Sequence, residues 1–439
     1  MSDARLTAVK LLLKMENSDS YSNILLDSAL DEAGLSERDR AFASALFYGV
    51  TERKMTLDFV IKQYSSMDFG KIEPEALAVL RMGIYQMMYM DSVPVSAAVN
   101  ESVKLCKKLK LFGAQGFVNG ILRSIARNNM QVDYSGLDVG ERLSIEYSCP
   151  RWIADKWTRE YGEENAVKAL KASIGAPPIY ARVNTVKTTD EDLLRILKKE
   201  GIKASINPRL AGCIRLEKTG DIEQSEAFKE GLFHVQDVAS QLCCLTLKPI
   251  VNETVLDICA APGGKSFTMA ELMGNNGRVI SMDLYEQRVG LIAKGAERLG
   301  LRIVEPRENN AARFNEELPQ ADKVLCDVPC SGLGVIRRKP EIKYKEESEF
   351  EELPKLQRAI LDVSSRYVKV GGTLVYSTCT LSRAENDEVA QDFANTHPDF
   401  SPIVQPIPYA GAENSPMRTF FPEEDGGDGF FTAAFRRIK

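Results

Sequence analysis

Apolar residues recur every three or four positions in LTAVKLLLKM, RAFASALFYGVTERKMTLDFVI, ALAVLRMGIYQMMYM and QGFVNGILRSIA, the spacing of one buried helix face. Breaks fall at Ser18–Asp19–Ser20, at Gly70 before KIEP and at Val93–Pro94, where turn formers and proline stop helices. Residues 1–130 therefore predict an all-helical bundle. The stripe of Met82, Tyr85, Met87, Met88 and Tyr89 is assigned to its core, because helical spacing alone accounts for it. A polar connector, NNMQVDYSGLDVG, closes this part of the chain.

The period then changes. Residues 145–235 mix a helix over RWIADKWTREYG, a strand over IYARVNTV, a helix starting near Thr189 and short strands around 202–217, a small α/β subdomain without a chemical motif. Across 236–439 apolar strands ETVLDI, RVISMD, RIVEP, DKVLCD and GTLVYST alternate with helical segments. Such alternation predicts a doubly wound, Rossmann-like α/β sheet of mostly parallel strands. Ligands bind such sheets at the carboxyl ends of the strands, where the strand order reverses. The chemically suggestive residues all fall at those ends.

Composition narrows the possibilities. A chain of 439 residues predicts two or three domains. No run of 18 apolar residues occurs, so no membrane span is expected, and the mixed-charge start MSDARLTAVK does not resemble a signal peptide. A cytoplasmic protein with its nine cysteines reduced is the expectation. Only His234 and His397 are present, which argues against Cys/His zinc sites and against histidine triads; no metal is expected. The net charge of −6 gives no sign of a nucleic-acid partner. Lys104, Lys107, Lys108 and Lys110, and likewise Arg337, Arg338 and Lys339, are local basic clusters that suit phosphate contacts and solvated surface equally well.

Three motifs carry chemistry. In VLDICAAPGGKSF a buried strand enters a turn at Gly263 and Gly264 and then a helix; glycine there lets backbone approach a ligand. Gly264, Lys265 and Ser266 fit the end of a Walker A loop, but its first glycine is replaced by Cys259, and no dinucleotide fingerprint is present. A nucleoside ligand without pyrophosphate needs only one wide glycine turn. Asp283 ends the next strand, where an acid can bind both ribose hydroxyls or, alternatively, cap the following helix. S-adenosylmethionine fits this combination better than ATP or NAD. In VLCDVPCSGLG a strand delivers Asp327 to the sheet edge just before Pro329 and Cys330, and in TLVYSTCTLSRAEN another strand ends at Cys379.

Two thiols and a carboxylate beside a methyl donor suggest attack on a pyrimidine. Carbon 5 of cytosine is a poor nucleophile until a thiolate adds to carbon 6, and a thiol is both nucleophilic and a good leaving group. Asp327 is the candidate proton donor or hydrogen-bond partner at ring nitrogen 3. The base must leave any helix to react, which favours single-stranded or loop RNA.

CAAPGGK, DVPCSGLG and YSTCT, in that order, resemble the RNA cytosine-C5 methyltransferases of the RsmB/Sun (Fmu) and NOL1/NOP2/NSUN group. RDRAFASALFYGV and GFVNGILRSI resemble NusB-like RNA-binding modules, and GDGFFTAAF the final strands of the methyltransferase family. The resemblance implies that Cys379 is the nucleophile and that Cys330 assists product release. It implies that Cys259, Ala260, Ala261, Pro262, Gly263, Gly264, Lys265 and Asp283 hold S-adenosylmethionine, with Asp327 beside the methyl donor and the target base. Where the family has an aspartate near the adenine, this chain has Asn309 followed by Asn310; an amide can also accept from the adenine amino group. A NusB-like module on this enzyme points to the bacterial 16S ribosomal RNA branch, acting on cytosine 967 of free RNA or early small-subunit particles as a monomer. Transfer RNA or 23S ribosomal RNA as substrate, and a noncatalytic RNA-binding or antitermination factor, are the competing readings.

Overall fold

The computed structural model describes residues 3–16, 26, 29–30, 32–217, 219, 222–405, 415–422 and 426–439; the break read at residues 18–20 lies outside them. The chain forms two compact units, Met1–Ala176 with Ile336–Lys345, and Pro177–Val335 with Glu346–Lys439.

The first unit is helical. It contains α1 (Ala4–Glu16), α2 (Glu37–Glu52), α3 (Lys54–Tyr64), α4 (Pro74–Tyr89), α5 (Val95–Lys108) and α6 (Gln115–Arg127). Local sequence sets these boundaries: the Ser36 hydroxyl caps α2 by accepting from Asp39 N, and Pro74 opens α4 where no amide donor is needed. Met82 and Met87 are buried with Leu46, Phe47 and Leu122, while Tyr85, Met88 and Tyr89 pack half-buried against them. The stripe is therefore core, as its spacing predicts.

The connector is not a free spacer. Gln63 and Tyr64 donate to the Asp133 and Gln131 carbonyls, and Tyr134 stacks on Phe59 with centroids 6.2 Å apart. Asp138 and Glu141 form a reciprocal capping box that starts α7 (Val139–Glu146). Next come α8 (Arg151–Tyr161) and α9 (Glu163–Ala172). Sequence periodicity places module bounds at 1–130, 145–235 and 236–439; the compact units divide at Ala176/Pro177.

Residues Ile336–Lys345 join this helical unit although they follow the Pro-Cys motif in sequence. Arg337 donates to the carbonyls of Gly175 and Ala176, so one member of that basic cluster ties backbone. Lys343 is fully buried and donates to the Glu52 carbonyl at 2.7 Å, and the Tyr344 hydroxyl donates to the Thr51 carbonyl at 2.8 Å.

The second unit begins with an antiparallel sheet in the order β2-β3-β1-β4, made of β1 (Ile179–Val183), β2 (Lys203–Ile206), β3 (Cys213–Glu217) and β4 (Phe233–Val235). Between its strands lie α10 (Asp190–Lys199), capped by Thr189, and α11 (Glu226–Lys229). The main body follows as α12 (Val238–Leu247), β5 (Thr254–Asp257), α13 (Gly264–Leu272), β6 (Arg278–Asp283), α14 (Glu286–Leu299), β7 (Val304–Glu308) and β8 (Ala321–Asp327). It closes with α15 (Leu353–Ser365), β9 (Val368–Thr378), α16 (Asp387–Thr396), β10 (Phe400–Pro402), β11 (Met417–Phe420) and β12 (Phe430–Arg437). The strand order is β10-β12-β9-β8-β5-β6-β7, with β11 on β12. Pairing is parallel from β9 to β7 and antiparallel at β12.

Successive strand residues face opposite layers. Val255, Val279, Leu325 and Val375 pack beneath α12–α14, whereas Leu256, Ile280, Val324 and Leu374 pack beneath α15 and α16. Burial on both faces explains why these strands read as continuous apolar runs. No helix among the described residues is long and apolar enough to cross a membrane.

Lys343 generates a test. Burial pulls its pKa from 10.5 down to about 8. Between those values the folded chain binds fewer protons than the unfolded one, so this lysine's contribution to stability is present above pH 10.5 and is lost as pH falls through 8. That loss amounts to about 3 kcal/mol, offset by about 1 kcal/mol from its hydrogen bond. Lys343→Met is expected to be more stable than wild type at pH 7 in chemical denaturation, with the advantage vanishing by pH 10.5. A pH-independent difference would contradict the assignment.

Candidate active site

The glycine turn is a product of its two flanking elements. β5 ends at Asp257, Ala260 N donates to the Met282 carbonyl, and Gly263 N donates to the Ala260 carbonyl at 2.8 Å. Gly263 sits at φ +110, and a Cβ there would lie 2.4 Å from the Phe267 ring, so only glycine fits. The backbone of Cys259–Lys265 thereby faces the strand ends. Arg288 donates to the Ala261 carbonyl at 3.2 Å.

Beneath this turn lies a polar chain that the motif reading passed over. The Ser281 hydroxyl bonds that of Ser266, which donates to Asp257 Oδ2 at 2.6 Å. Asp257 Oδ1 is buried with no hydrogen-bond partner, and burial pushes the carboxyl up to about 7. An acid closing a buried strand just before a glycine turn was the signal available in the sequence.

Asp283 ends β6 and is buried; its oxygens accept from Tyr285 N at 3.3 Å and lie 3.5 Å from the Arg288 guanidinium. It does not cap α14, whose N-cap is Tyr285. Asn309 N donates to the Asp283 carbonyl, and the Asn309 amide oxygen accepts from Asn315 at 3.1 Å. Asn310 instead accepts from Ala312 N within its own loop. The two residues thus differ: Asn309 adjoins Asp283, and Asn310 shapes a turn.

Lys265 links the turn to the next motif. Its ammonium donates to Asp327 Oδ2 at 2.7 Å, and the Ser377 hydroxyl donates to Asp327 Oδ1 at 2.7 Å. Burial opposes the charge on Lys265, but the charge and hydrogen bond of Asp327 outweigh it and raise the pKa above the usual lysine value. Lys265 is therefore a fixed cation at the motif junction, a role that a reading of the turn as backbone alone does not predict.

The two thiols meet. Cys330 Sγ and Cys379 Sγ are 3.3 Å apart. Both are partly exposed, as is Cys259, while the other six cysteines are buried. The hydrogen bond from Cys330, aided by Lys265, holds the Cys379 thiol below its ordinary range against burial and the charges of Asp327 and Asp428. The same bond, then burial and the charge of Glu385, pushes Cys330 well above it. One thiol is thus poised to ionise and the other to keep its proton. Gly334 N donates to the Cys379 carbonyl at 3.0 Å, and a Cβ on Gly334 would fall 2.0 Å from the Gly429 carbonyl oxygen. The Pro-Cys loop, the Thr-Cys loop and the Gly-Asp-Gly segment before β12 are consequently in backbone contact.

Around the thiols stand Glu385, Gln357 and Ser331, all buried and none foreseen from the sequence. Glu385 lies within TLVYSTCTLSRAEN, six residues after Cys379, at a spacing that carries no signal for such a role. No group of histidine, cysteine and acidic side chains among the described residues is arranged to hold a metal.

Comparisons with known proteins identify the modules that make up the chain. The family described as 16S rRNA methyltransferase RsmB/F matches residues 244–436, the NusB family matches 2–127, and a ferredoxin-like domain of RsmF/B-like methyltransferases matches 149–223. The Bacillus subtilis (strain 168) protein named "Probable ribosomal RNA small subunit methyltransferase B" is 38% identical over 438 residues, covering 98% of each chain. The protein of that name from Synechocystis sp. (strain ATCC 27184 / PCC 6803 / Kazusa) is 35% identical over 100% of both. The solved structure PH0851 superposes with a TM-score of 0.82 at 25% identity, covering 99% of this chain and 98% of that one. With such identity along the whole length and each module matched in order, the chain belongs to the RsmB/F family of 16S rRNA methyltransferases.

Proposed function

We propose that this protein methylates carbon 5 of a cytosine in 16S ribosomal RNA, with cytosine 967 as the expected target, through a covalent bond from Cys379 to carbon 6. The observation that carries the reading is the thiol pair 3.3 Å apart, one member lowered and the other raised in pKa, at strand ends beside Asp327. The names of the Bacillus and Synechocystis relatives support the small-subunit RNA as substrate. The NusB match supports RNA binding by the helical unit. We further infer a cytoplasmic monomer acting on single-stranded or loop RNA.

S-adenosylmethionine fits the residues present. The glycine turn from Cys259 to Lys265 offers close backbone approach, Asp283 an acceptor for ribose hydroxyls, and Asn309 an amide near them. Asp257 adds a buried, partnerless carboxylate oxygen suited to a cationic ligand group. When bound there, the cofactor supplies the methyl cation equivalent.

The chain's own residues account for the remaining steps. Cys379, as thiolate, adds to carbon 6, and ring nitrogen 3 takes a proton through Asp327, resupplied from the Lys265 ammonium bonded to its Oδ2 and returned when the product forms, while Ser377 holds Oδ1. Once Cys379 is bonded to carbon, the leading cause of the raised Cys330 pKa disappears. Cys330, partly exposed, can then release its proton to solvent and, as thiolate, accept the one leaving carbon 5, after which the carbon–sulfur bond breaks and Cys379 departs as thiolate. Acid–base assistance of this kind contributes about 10²–10⁴-fold.

Cys379→Ala is expected to abolish methyl transfer from S-adenosylmethionine to RNA; full residual activity would refute the nucleophile. Cys330→Ala is expected to accumulate a covalent protein–RNA adduct, visible as a slow-migrating species on denaturing gels, and a clean gel would count against its role in release. Bisulfite sequencing of RNA from a deletion strain should lose one 16S cytosine signal. Loss in transfer RNA or 23S ribosomal RNA instead, or no loss at all, would overturn the assignment.

A further inference from the structure

Glu385 is 2% exposed and lies between the loops that carry the two thiols. Its Oε2 accepts from Ser331 N at 2.8 Å and from Gln357 Nε2 at 3.0 Å. Its Oε1 accepts from the Ser331 hydroxyl at 2.5 Å and from the Thr380 hydroxyl at 3.5 Å. Ser331 directly follows Cys330, and Thr380 directly follows Cys379. The two hydroxyls are themselves 2.8 Å apart. Gln357 also donates to the carbonyl of Pro329, the residue before Cys330.

The neighbouring residue completes the clamp. Asn386 donates to the Thr380 carbonyl at 2.9 Å and accepts from the Thr378 hydroxyl, so it grips the Thr-Cys loop on both sides of Cys379. The Tyr376 hydroxyl donates to the Glu385 carbonyl and pins the clamp to β9.

We infer that Glu385 is a positioning residue that sets the distance and direction between the Cys330 and Cys379 thiols, an inference that rests on reading Cys379 as the nucleophile. An ionised carboxylate is acceptor-only and can take all of these donors at once. Its partners here are amides and hydroxyls, so it occupies a site where an apolar side chain would avoid the cost of burying a charge. What that charge secures is a common anchor for two loops from different strands. Glutamine at this position would keep the volume but set an amide NH2 against the Ser331 N–H or the Gln357 NH2.

The test is Glu385→Gln in the full chain, with Ser331→Ala as a milder variant that keeps the backbone bond and removes the hydroxyl. Misplacement of reacting groups by about 1 Å costs on the order of 100-fold in rate, so kcat for RNA methylation is expected to fall by about that factor in Glu385→Gln, and by less in Ser331→Ala. KM for S-adenosylmethionine should stay unchanged in both. A second readout needs no RNA. The pH profile of Cys379 alkylation by iodoacetamide, followed by peptide mass spectrometry, should move to higher pH as the hydrogen bond from Cys330 loosens. A role in general folding would lower stability without moving that midpoint. An unchanged alkylation profile in both variants overturns the inference whatever wild type does with RNA. Full RNA methylation by Cys379→Ala overturns the nucleophile reading instead, and the alkylation midpoint then decides the positioning role by itself.

Discussion

β8 and β9 pair in parallel with Asp327 opposite Ser377, and the position of the thiols follows from that register. From this pair the chains run on by three and two residues to Cys330 and Cys379. A slip of one residue would turn each side chain to the other face. Asp327 would then exchange places with Cys326, which packs in the layer beneath α15 and α16. On the other side β5 sets Asp257 opposite Leu325, so the glycine turn leaves the sheet at the same edge. β12 runs the opposite way, with Thr432 opposite Ser377. Its beginning therefore meets the endings of its neighbours, which is why Gly429 can touch Gly334 and Asp428 can act on Cys379.

Charge is the second constraint. Asp257, Asp283 and Glu385 are buried around a site in which Lys265 is the cation bonded to Asp327. A buried carboxylate needs donors, and each of these uses a different supply: hydroxyls for Asp257, backbone and an arginine for Asp283, amides and hydroxyls for Glu385. With both histidines elsewhere, no imidazole is available to activate a thiol. His397 pairs with Asp362, and His234 lies 3.4 Å from Glu271, itself paired with Arg182. The group that lowers Cys379 is instead the second thiol, Cys330, 3.3 Å away. In the proposed reaction this has a consequence: the group that lowers Cys379 is free to act as a base only after Cys379 has bonded to carbon.

The parts legible in the sequence are those whose signal is local. Helical spacing located the bundle and its Met82–Met87 core, and the apolar runs ETVLDI, RVISMD, DKVLCD and GTLVYST located the strands β5, β6, β8 and β9 that border the candidate site. The glycine turn was legible because only one backbone geometry explains Gly263. Glu385 and Gln357 were not, because their role exists only when α15 and the loop after β9 are folded beside the Pro-Cys loop. The segment NNMQVDYSGLDVG reads as a connector since its attachments are side-chain-to-backbone bonds and one ring stack, Tyr134 on Phe59, none of which leaves a periodic trace. Asp283 offered two readings, ribose acceptor or helix cap, and the Tyr285 N-cap of α14 removes the second.

The segment Ile336–Lys345 follows from a different kind of constraint. A chain that leaves the Pro-Cys loop must spend its next residues somewhere, and here they are spent inside the helical unit, with Lys343 fully buried. Burying an ammonium is costly unless its donors are used, and the Glu52 carbonyl at the end of α2 supplies an acceptor that a helix terminus leaves unpaired. Tyr344 does the same for Thr51. The basic run Arg337–Lys339 is accordingly better understood through Arg337, which closes on the Gly175 and Ala176 carbonyls, than through its charge. The helical unit is thus completed by residues that follow the Pro-Cys motif in sequence. A cut before Pro177 would separate a bundle lacking its own closing segment from a second unit carrying ten residues that belong to the bundle, of which Ile336, Pro340, Ile342 and Lys343 are buried.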